Sequence, residues 1–198
     1  NPKPAFETLD NHPVADMAGS YPWPPMSQSK GGVLSVGDML SYMDSFYGEY
    51  KSFGWKLNVA GAFPGFHDIY KEANVGQSYG YLDALDGKTF RATLQLALDQ
   101  KPDIVQLITW NDYGEGTNIE PSVEFGTRYL EMVQEARKVT GGGDFSYTKD
   151  DLALPLNLYQ ARAKHYGDAA ANAQLDQAAQ AILDGKLDAA KAILEKYQ

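Results

Sequence analysis

Apolar residues gather in short runs, each followed by a stretch with helical spacing, and this alternation sets the fold class. The clearest run, Pro102-Asp103-Ile104-Val105-Gln106-Leu107-Ile108-Thr109-Trp110, is nearly continuous in apolar and β-branched residues. That is the pattern of a parallel strand covered on both faces. Earlier strands are predicted near 14–20 and 56–63. Helices are predicted near 37–53, with Ser35 or Gly37 and Asp38 at the start, and near 88–100, where Phe90, Leu94, Leu96 and Ala97 roughly keep the helical period. A third helix is predicted near 122–138, with Phe125, Tyr129, Leu130, Val133 and Ala136 as its buried stripe. Strand followed by helix, three times in succession, predicts an α/β fold with parallel strands.

The pattern then becomes wholly helical. Gly141-Gly142-Gly143-Asp144 reads as a linker or as the end of the preceding helix. Beyond it, Leu152 to His165, Ala170 to Leu183 and Lys186 to Tyr197 read as Ala-rich helices separated by Gly167 and Gly185. The last two resemble a helical-repeat hairpin faintly. The expected organisation is therefore an α/β domain over 1–143 and a helical cap over 144–198.

Composition adds bounds. The chain has 198 residues, 43% hydrophobic and 22% charged, enough for one substantial core with a small appendage. No apolar run reaches the roughly 18 residues a membrane span requires, so no membrane partner is expected. The sequence starts at Asn1 without a Met, which predicts a processed or excised N-terminus and leaves the compartment unread, secretion or the periplasm being the expectation. Cysteine is absent, so disulfide and thiolate chemistry are excluded.

The net charge is −9, and it is uneven: residues 155–198 carry five basic and five acidic side chains, against twelve basic and twenty-one acidic in 1–154. Lys and Arg form no run, so a nucleic acid is not the expected partner. A neutral carbohydrate is compatible with this charge.

Directly after the 103–110 strand, the chain reads Asn111-Asp112-Tyr113-Gly114-Glu115-Gly116-Thr117-Asn118-Ile119-Glu120-Pro121. Two carboxylates three residues apart thus sit on a glycine-bearing, aromatic loop at the carboxyl end of a strand, where parallel α/β folds place ligands and catalytic groups. Paired carboxyl groups suit general acid–base work, one giving a proton while the other takes one. The bland reading of Asp112 is an Asx turn or cap.

The run Thr-Trp-Asn-Asp-Tyr-Gly-Glu followed by Ile-Glu-Pro resembles the signature of glycoside hydrolase family 71, whose members are α-1,3-glucanases, and of family 99, whose members are endo-acting α-mannosidases. Asp112 leans toward the family 71 form, and Gly116 to Pro121 toward the family 99 continuation. Weaker similarity lies in Ala15 to Tyr21 with Trp23, and in Asn58 to Phe66 with its Pro-Gly-Phe loop, so that the resemblance covers roughly 12–140.

The resemblance implies the C-terminal portion of a (β/α)8 TIM-type barrel with an appended C-terminal helical segment. A barrel needs eight strands and typically about 250 residues, so the remaining strands are expected from the same parent chain; a reduced α/β protein that shares the motif is the alternative. It also implies a glycosidase acting on an α-linked polysaccharide or oligosaccharide, with Glu115 as general acid and Asp112 as base, α-1,3-glucanase-like before endo-α-mannosidase-like. A non-catalytic carbohydrate-binding relative, or a scaffold working through its C-terminal helices, are rival readings. Inversion accompanies carboxyl groups about 6.5–9.5 Å apart and retention about 5–5.5 Å; the Asp-for-Glu choice tilts toward inversion.

Trp110 and Tyr113 are candidates to stack on sugar faces, although a Trp closing a buried strand is at least as often core. Asn111 is a candidate hydrogen-bonding residue, and Glu120 either a third carboxylate for a sugar hydroxyl or a polar group before Pro121. Tyr21, Trp23, Phe63, Phe66 and His67 lie at or beyond strand ends on the same presumed rim, which makes them further candidates for substrate contact. His67-Asp68 reads more readily as a loop capping pair than as a catalytic dyad. His12 and His165 lack metal-ligand spacing, and no phosphate loop or dinucleotide fingerprint occurs. No metal and no cofactor are expected.

Overall fold

The computed structural model describes residues 18–141 and 146–197, and the chain divides into two compact units between Phe125 and Gly126. Val14 to Met17 of the expected first strand, together with His12 and the Gly142-Gly143-Asp144 linker, lie outside the described residues. Residues 18–20 are irregular rather than strand, tied to the next segment by the Leu57 amide donating to the Ala18 carbonyl at 3.0 Å.

The first unit is α/β. Helix α1 spans Val36–Ser52, strand β1 Val59–Ala62, β2 Phe66–His67, β3 Tyr81–Leu82, helix α2 Lys88–Asp99 and strand β4 Ile104–Leu107. Strands β1 and β4 pair in parallel with Val59 opposite Ile104 and Ala62 opposite Leu107, joined through α2 as a βαβ crossover requires. Strands β2 and β3 form a short antiparallel pair, and Val33 bridges to Tyr81 on the other side. One parallel pair is therefore present among the described residues where three strand–helix units were expected.

Local chemistry explains the helix boundaries. Ser35 caps α1 by accepting the Asp38 amide at 3.1 Å while donating to the Asp38 carboxylate at 2.7 Å. Met39, Met43, Phe46, Tyr47 and Tyr50 recur on one face of α1 and are all buried. Helix α2 buries Phe90, Thr93, Leu94 and Ala97. Thr93 Oγ1 donates to the Phe63 carbonyl at 2.8 Å and accepts the Phe63 amide at 3.1 Å, so the chain leaving β1 has its backbone satisfied by the helix that follows.

Strand β4 departs from the expectation of burial on both faces. Ile104 is 49% exposed, and Val105, Gln106 and Leu107 are only partly covered. Its sole ladder partner among the described residues is β1, so its other edge has no paired strand among them.

The second unit is helical: α3 Arg128–Thr140, a 3-10 turn at Asp150–Ala153, α4 Leu154–Lys164, α5 Ala169–Leu183 and α6 Leu187–Leu194. The expected helix near 122–138 begins only at Arg128, because Pro121 to Thr127 form turns in which Gly126 has φ +56° and Phe125 never enters the helix. Helix α3 also belongs to this unit and not to the α/β part, which puts the division well before the expected 143/144 boundary. Its partners explain this: Gln134 donates to the Thr148 carbonyl at 2.9 Å and Glu131 pairs with Lys149 at 2.9 Å. Asp168 caps α5 by accepting the Ala170 and Ala171 amides, and Leu154, Ala161, Leu175, Ala178 and Leu194 form the core.

Candidate active site

The ladder of β4 continues one residue past its end, with the Ile108 amide donating to the Ala62 carbonyl at 2.9 Å. The chain then opens into the acidic loop. Its neck is closed by the Thr109 amide donating to the Thr117 carbonyl at 2.9 Å and by the two threonine hydroxyls meeting at 2.9 Å. The Ile119 amide donates back to the Thr109 carbonyl at 3.0 Å. Thr117 and Ile119 are buried, whereas Trp110 and Tyr113 are each 52% exposed at the tip. The neck also ties in the tip, the Thr117 amide donating to the Asp112 carbonyl at 3.1 Å.

Within the loop, Asp112 and Glu115 are coupled through the backbone. The Asp112 amide donates to Thr109 Oγ1 at 3.1 Å, and Asp112 Oδ1 accepts the Glu115 amide at 2.9 Å. Asp112 is thus an Asx-type loop former, and its side chain is half-buried.

Glu115 is buried, with 7% of its surface exposed. Desolvation is the main influence on its carboxyl and lifts its pKa above the usual 4.5; the charges of Asp112 and Asp68 push the same way. Opposing them, the Tyr70 hydroxyl donates to Glu115 Oε1 at 2.7 Å. The Trp23 indole N–H also favours the charged form, and since Trp23 Nε1 is buried with no partner in hydrogen-bonding geometry, it acts as a nearby dipole and not through a formed bond.

The segment after β2 runs alongside this loop. His67 and Ile69 amides donate to the Glu115 and Gly114 carbonyls at 2.8 and 3.0 Å. Gly116, at φ +63°, lies so close that a Cβ there would stand 2.9 Å from the His67 carbonyl oxygen, so glycine alone fits. Asp68 is 2% exposed and accepts the Tyr70 amide, the Ser78 hydroxyl and the Tyr79 amide, folding the 68–79 connection around a buried carboxylate.

The other sequence candidates fall into distinct places. Tyr21 is 52% exposed and meets Trp23 edge-on at 6.5 Å. Phe63 and Phe66 are sealed in the core, at 0% and 3% exposure, so neither ring offers a face to a ligand. The expectation that Phe66 contacts substrate is corrected on that ground. His67 is exposed and packs edge-on against Tyr81 at 5.0 Å, away from any dyad with Asp68, whose oxygens are already taken. Asn111 is exposed, and the neighbouring Glu120 raises the pKa of the Tyr113 phenol.

Tyr70 was not picked out by the sequence. It lies forty-five positions from Glu115, in a connection without periodic pattern, and only the backbone pairing of 67–69 with 114–115 brings it there. Its nearest sequence signal was Asp68, noted as a capping residue. Among the described residues no group of His, Asp and Glu is arranged to hold a metal ion, and no helix is long and apolar enough to cross a membrane.

No protein-family model matches this chain, and no curated protein matches it. Solved structures give a similarity. It is to family 99. One structure of the family 99 endo-α-mannosidase from Bacteroides thetaiotaomicron shares 21% identity and a TM-score of 0.45, covering 64% of this chain and 40% of that one. A second, in complex with bis-tris-propane, shares 20% identity and a TM-score of 0.46, covering 65% and 43%. This chain spans well under half the length of either enzyme.

Proposed function

We propose that this chain carries the acidic loop of a (β/α)8-barrel glycoside hydrolase acting on α-linked carbohydrate, with Glu115 as general acid and Asp112 as base. The observation that carries the reading is the placement of Glu115: a buried carboxyl group on the loop after a parallel strand, bonded through its amide to Asp112 and through Oε1 to Tyr70, where desolvation and two neighbouring carboxylates raise its pKa. A general acid must hold its proton near the working pH, and this environment shifts Glu115 in that direction. Asp112 accepts one loop amide through Oδ1 and keeps Oδ2 for a water or a sugar hydroxyl.

The surroundings fit a sugar. Trp110, Tyr113 and Tyr21 offer exposed aromatic faces on which C–H faces of a pyranose stack, and Asn111 and Glu120 add polar groups nearby in the chain. The half-covered β4 supports a continuing barrel, because its unpaired side is where a further strand of the parent chain would add. Two carboxyl groups suffice for the reaction, so no cofactor or metal enters it.

Asp112 in place of a second Glu favours an α-1,3-glucan as substrate over an α-mannan. The test is to incubate the full-length protein, and its Glu115→Gln variant, with α-1,3-glucan and α-mannan oligosaccharides while following product and anomeric configuration by NMR. Turnover of one substrate that the variant loses establishes the reading and fixes stereochemistry. Glycan binding without turnover in either form replaces it with a carbohydrate-binding role.

A further inference from the structure

Glu115 has two oxygens, and only one is committed. Tyr70 donates to Oε1, and because the carbonyl oxygen of a neutral carboxyl group is its better acceptor, this bond favours the proton on Oε2. A freely rotating acid presents its proton from either oxygen; this one is biased toward a single oxygen by a neighbouring donor. The donor itself is held: its ring meets Tyr79 edge-on at 5.7 Å, its amide is bonded to Asp68 Oδ1 at 3.3 Å, and the Tyr79 amide is bonded to Asp68 Oδ2 at 2.7 Å. The buried Asp68 carboxylate therefore sets the loop that sets Tyr70.

Building on the glycosidase reading, we propose that Tyr70 is a positioning residue for Glu115, fixing the acidic proton on Oε2 before transfer and holding the carboxylate after it. When Glu115 gives its proton to the leaving glycosidic oxygen, the electron pair of that O–H bond stays on Oε2. The C–O bond breaks with its pair departing on the leaving oxygen as a hydroxyl, and the anomeric carbon bonds the oxygen of a water whose proton passes to Asp112. The resulting carboxylate is stabilised by the Tyr70 hydroxyl on Oε1, with the unpartnered Trp23 indole N–H as a second donor beside it. Asp112 and Asp68 oppose that charge, and the adjacent His67 contributes its backbone amide to the Glu115 carbonyl while its exposed ring packs on Tyr81. Without Tyr70, repulsion from the two aspartates and burial act uncompensated on one side.

The sign of the effect is distinctive. Removing a donor to the charged form should raise the Glu115 titration midpoint, by about one pH unit for a hydrogen bond to a charged group. In the full-length protein, the Glu115 carboxyl is followed by carbon-13 NMR titration, its resonance assigned by disappearance in Glu115→Gln. Tyr70→Phe is expected to move the midpoint up. Replacement of Tyr70 by 3-fluorotyrosine, a stronger donor of the same shape, is expected to move it down. A midpoint that stays in place in both, or moves in the same direction in both, overturns the proposal, whether or not the protein hydrolyses a glycan. Where hydrolysis is measurable, the alkaline limb of the kcat profile shifts with the NMR midpoint; loss of kcat at unchanged midpoint and limb would show a merely structural tyrosine. Absence of turnover with the opposed shifts intact counts against the glycosidase reading alone.

Discussion

Asp112 and Glu115 are joined by a hydrogen bond from the Glu115 amide to Asp112 Oδ1 at 2.9 Å, so one candidate catalytic group builds the turn that aims the other. The two duties of Asp112 are separable. Asparagine keeps the accepting oxygen and loses the charge; alanine loses both. Asp112→Asn should fold as the parent does and lose a hundredfold or more in kcat, on the order of a general base's contribution. Asp112→Ala should in addition lose about 1 kcal/mol of stability with the capping bond. Urea denaturation alongside steady-state kinetics separates them; equal stability loss in both variants would show that the charge, and not the acceptor, holds the loop.

The raised pKa of Glu115 has a consequence for stability. Its folded pKa lies above the ordinary 4.5, with desolvation the first cause, so the folded state binds this proton more tightly than the unfolded chain. That contribution is fully present below 4.5 and is lost as pH rises through the folded value. Glutamine removes the charge while leaving Tyr70 an oxygen to bond. Glu115→Gln should therefore be more stable than the parent at neutral pH, with the gap closing below 4.5, as read by urea midpoints at several pH values. A gap independent of pH would mean that burial of the charge costs the fold nothing.

Sequence patterning reached the elements that depend on near neighbours. Ser35 with Asp38, the buried face from Met39 to Tyr50, and the Ala-rich helices after Asp150 each follow from spacing within a few turns. The acidic loop was legible for the same reason, since Trp110 to Pro121 is contiguous. What escaped depends on distant pairing. Tyr70 reaches Glu115 only because the His67 and Ile69 amides bond the Glu115 and Gly114 carbonyls, which no period in the chain announces. Phe66 was misplaced because a strand-end aromatic reads alike whether it faces a rim or the core. The late start of α3 reflects Gly126 at φ +56°, a turn that an apolar stripe from Phe125 onward conceals.

Thr93 is buried completely and bonds both the amide and the carbonyl of Phe63, where β1 ends. Valine has nearly the same shape and none of the polarity. Thr93→Val would leave two buried backbone groups unsatisfied, at a cost of about 2–3 kcal/mol. Chemical denaturation measures the loss directly. A change within a few tenths of a kcal/mol would mean that Phe63 finds other partners or solvent when the hydroxyl is gone.

In the helical unit, Lys191 pairs with Asp151 at 2.7 Å, and Asp151 also accepts the Thr148 amide and hydroxyl. These partners, Lys191 first, lower the Asp151 pKa from 3.8 to about 2. A lowered carboxylate stabilises the fold above 3.8, and the contribution is lost as pH falls through about 2. Asp151→Asn should accordingly cost about 1–2 kcal/mol at neutral pH and little in strong acid, where the parent carboxyl is itself protonated. Hydrogen exchange of amides in α4, which follows Asp151, and in α6, which carries Lys191, reads this locally. Lys191→Met tests the order of causes: it should remove the larger part of the acid sensitivity, whereas Thr148→Val, which leaves the Thr148 amide in place, should remove less. The reverse ranking would assign the Asp151 carboxylate to the turn at Thr148 and leave Lys191 as a solvated surface charge.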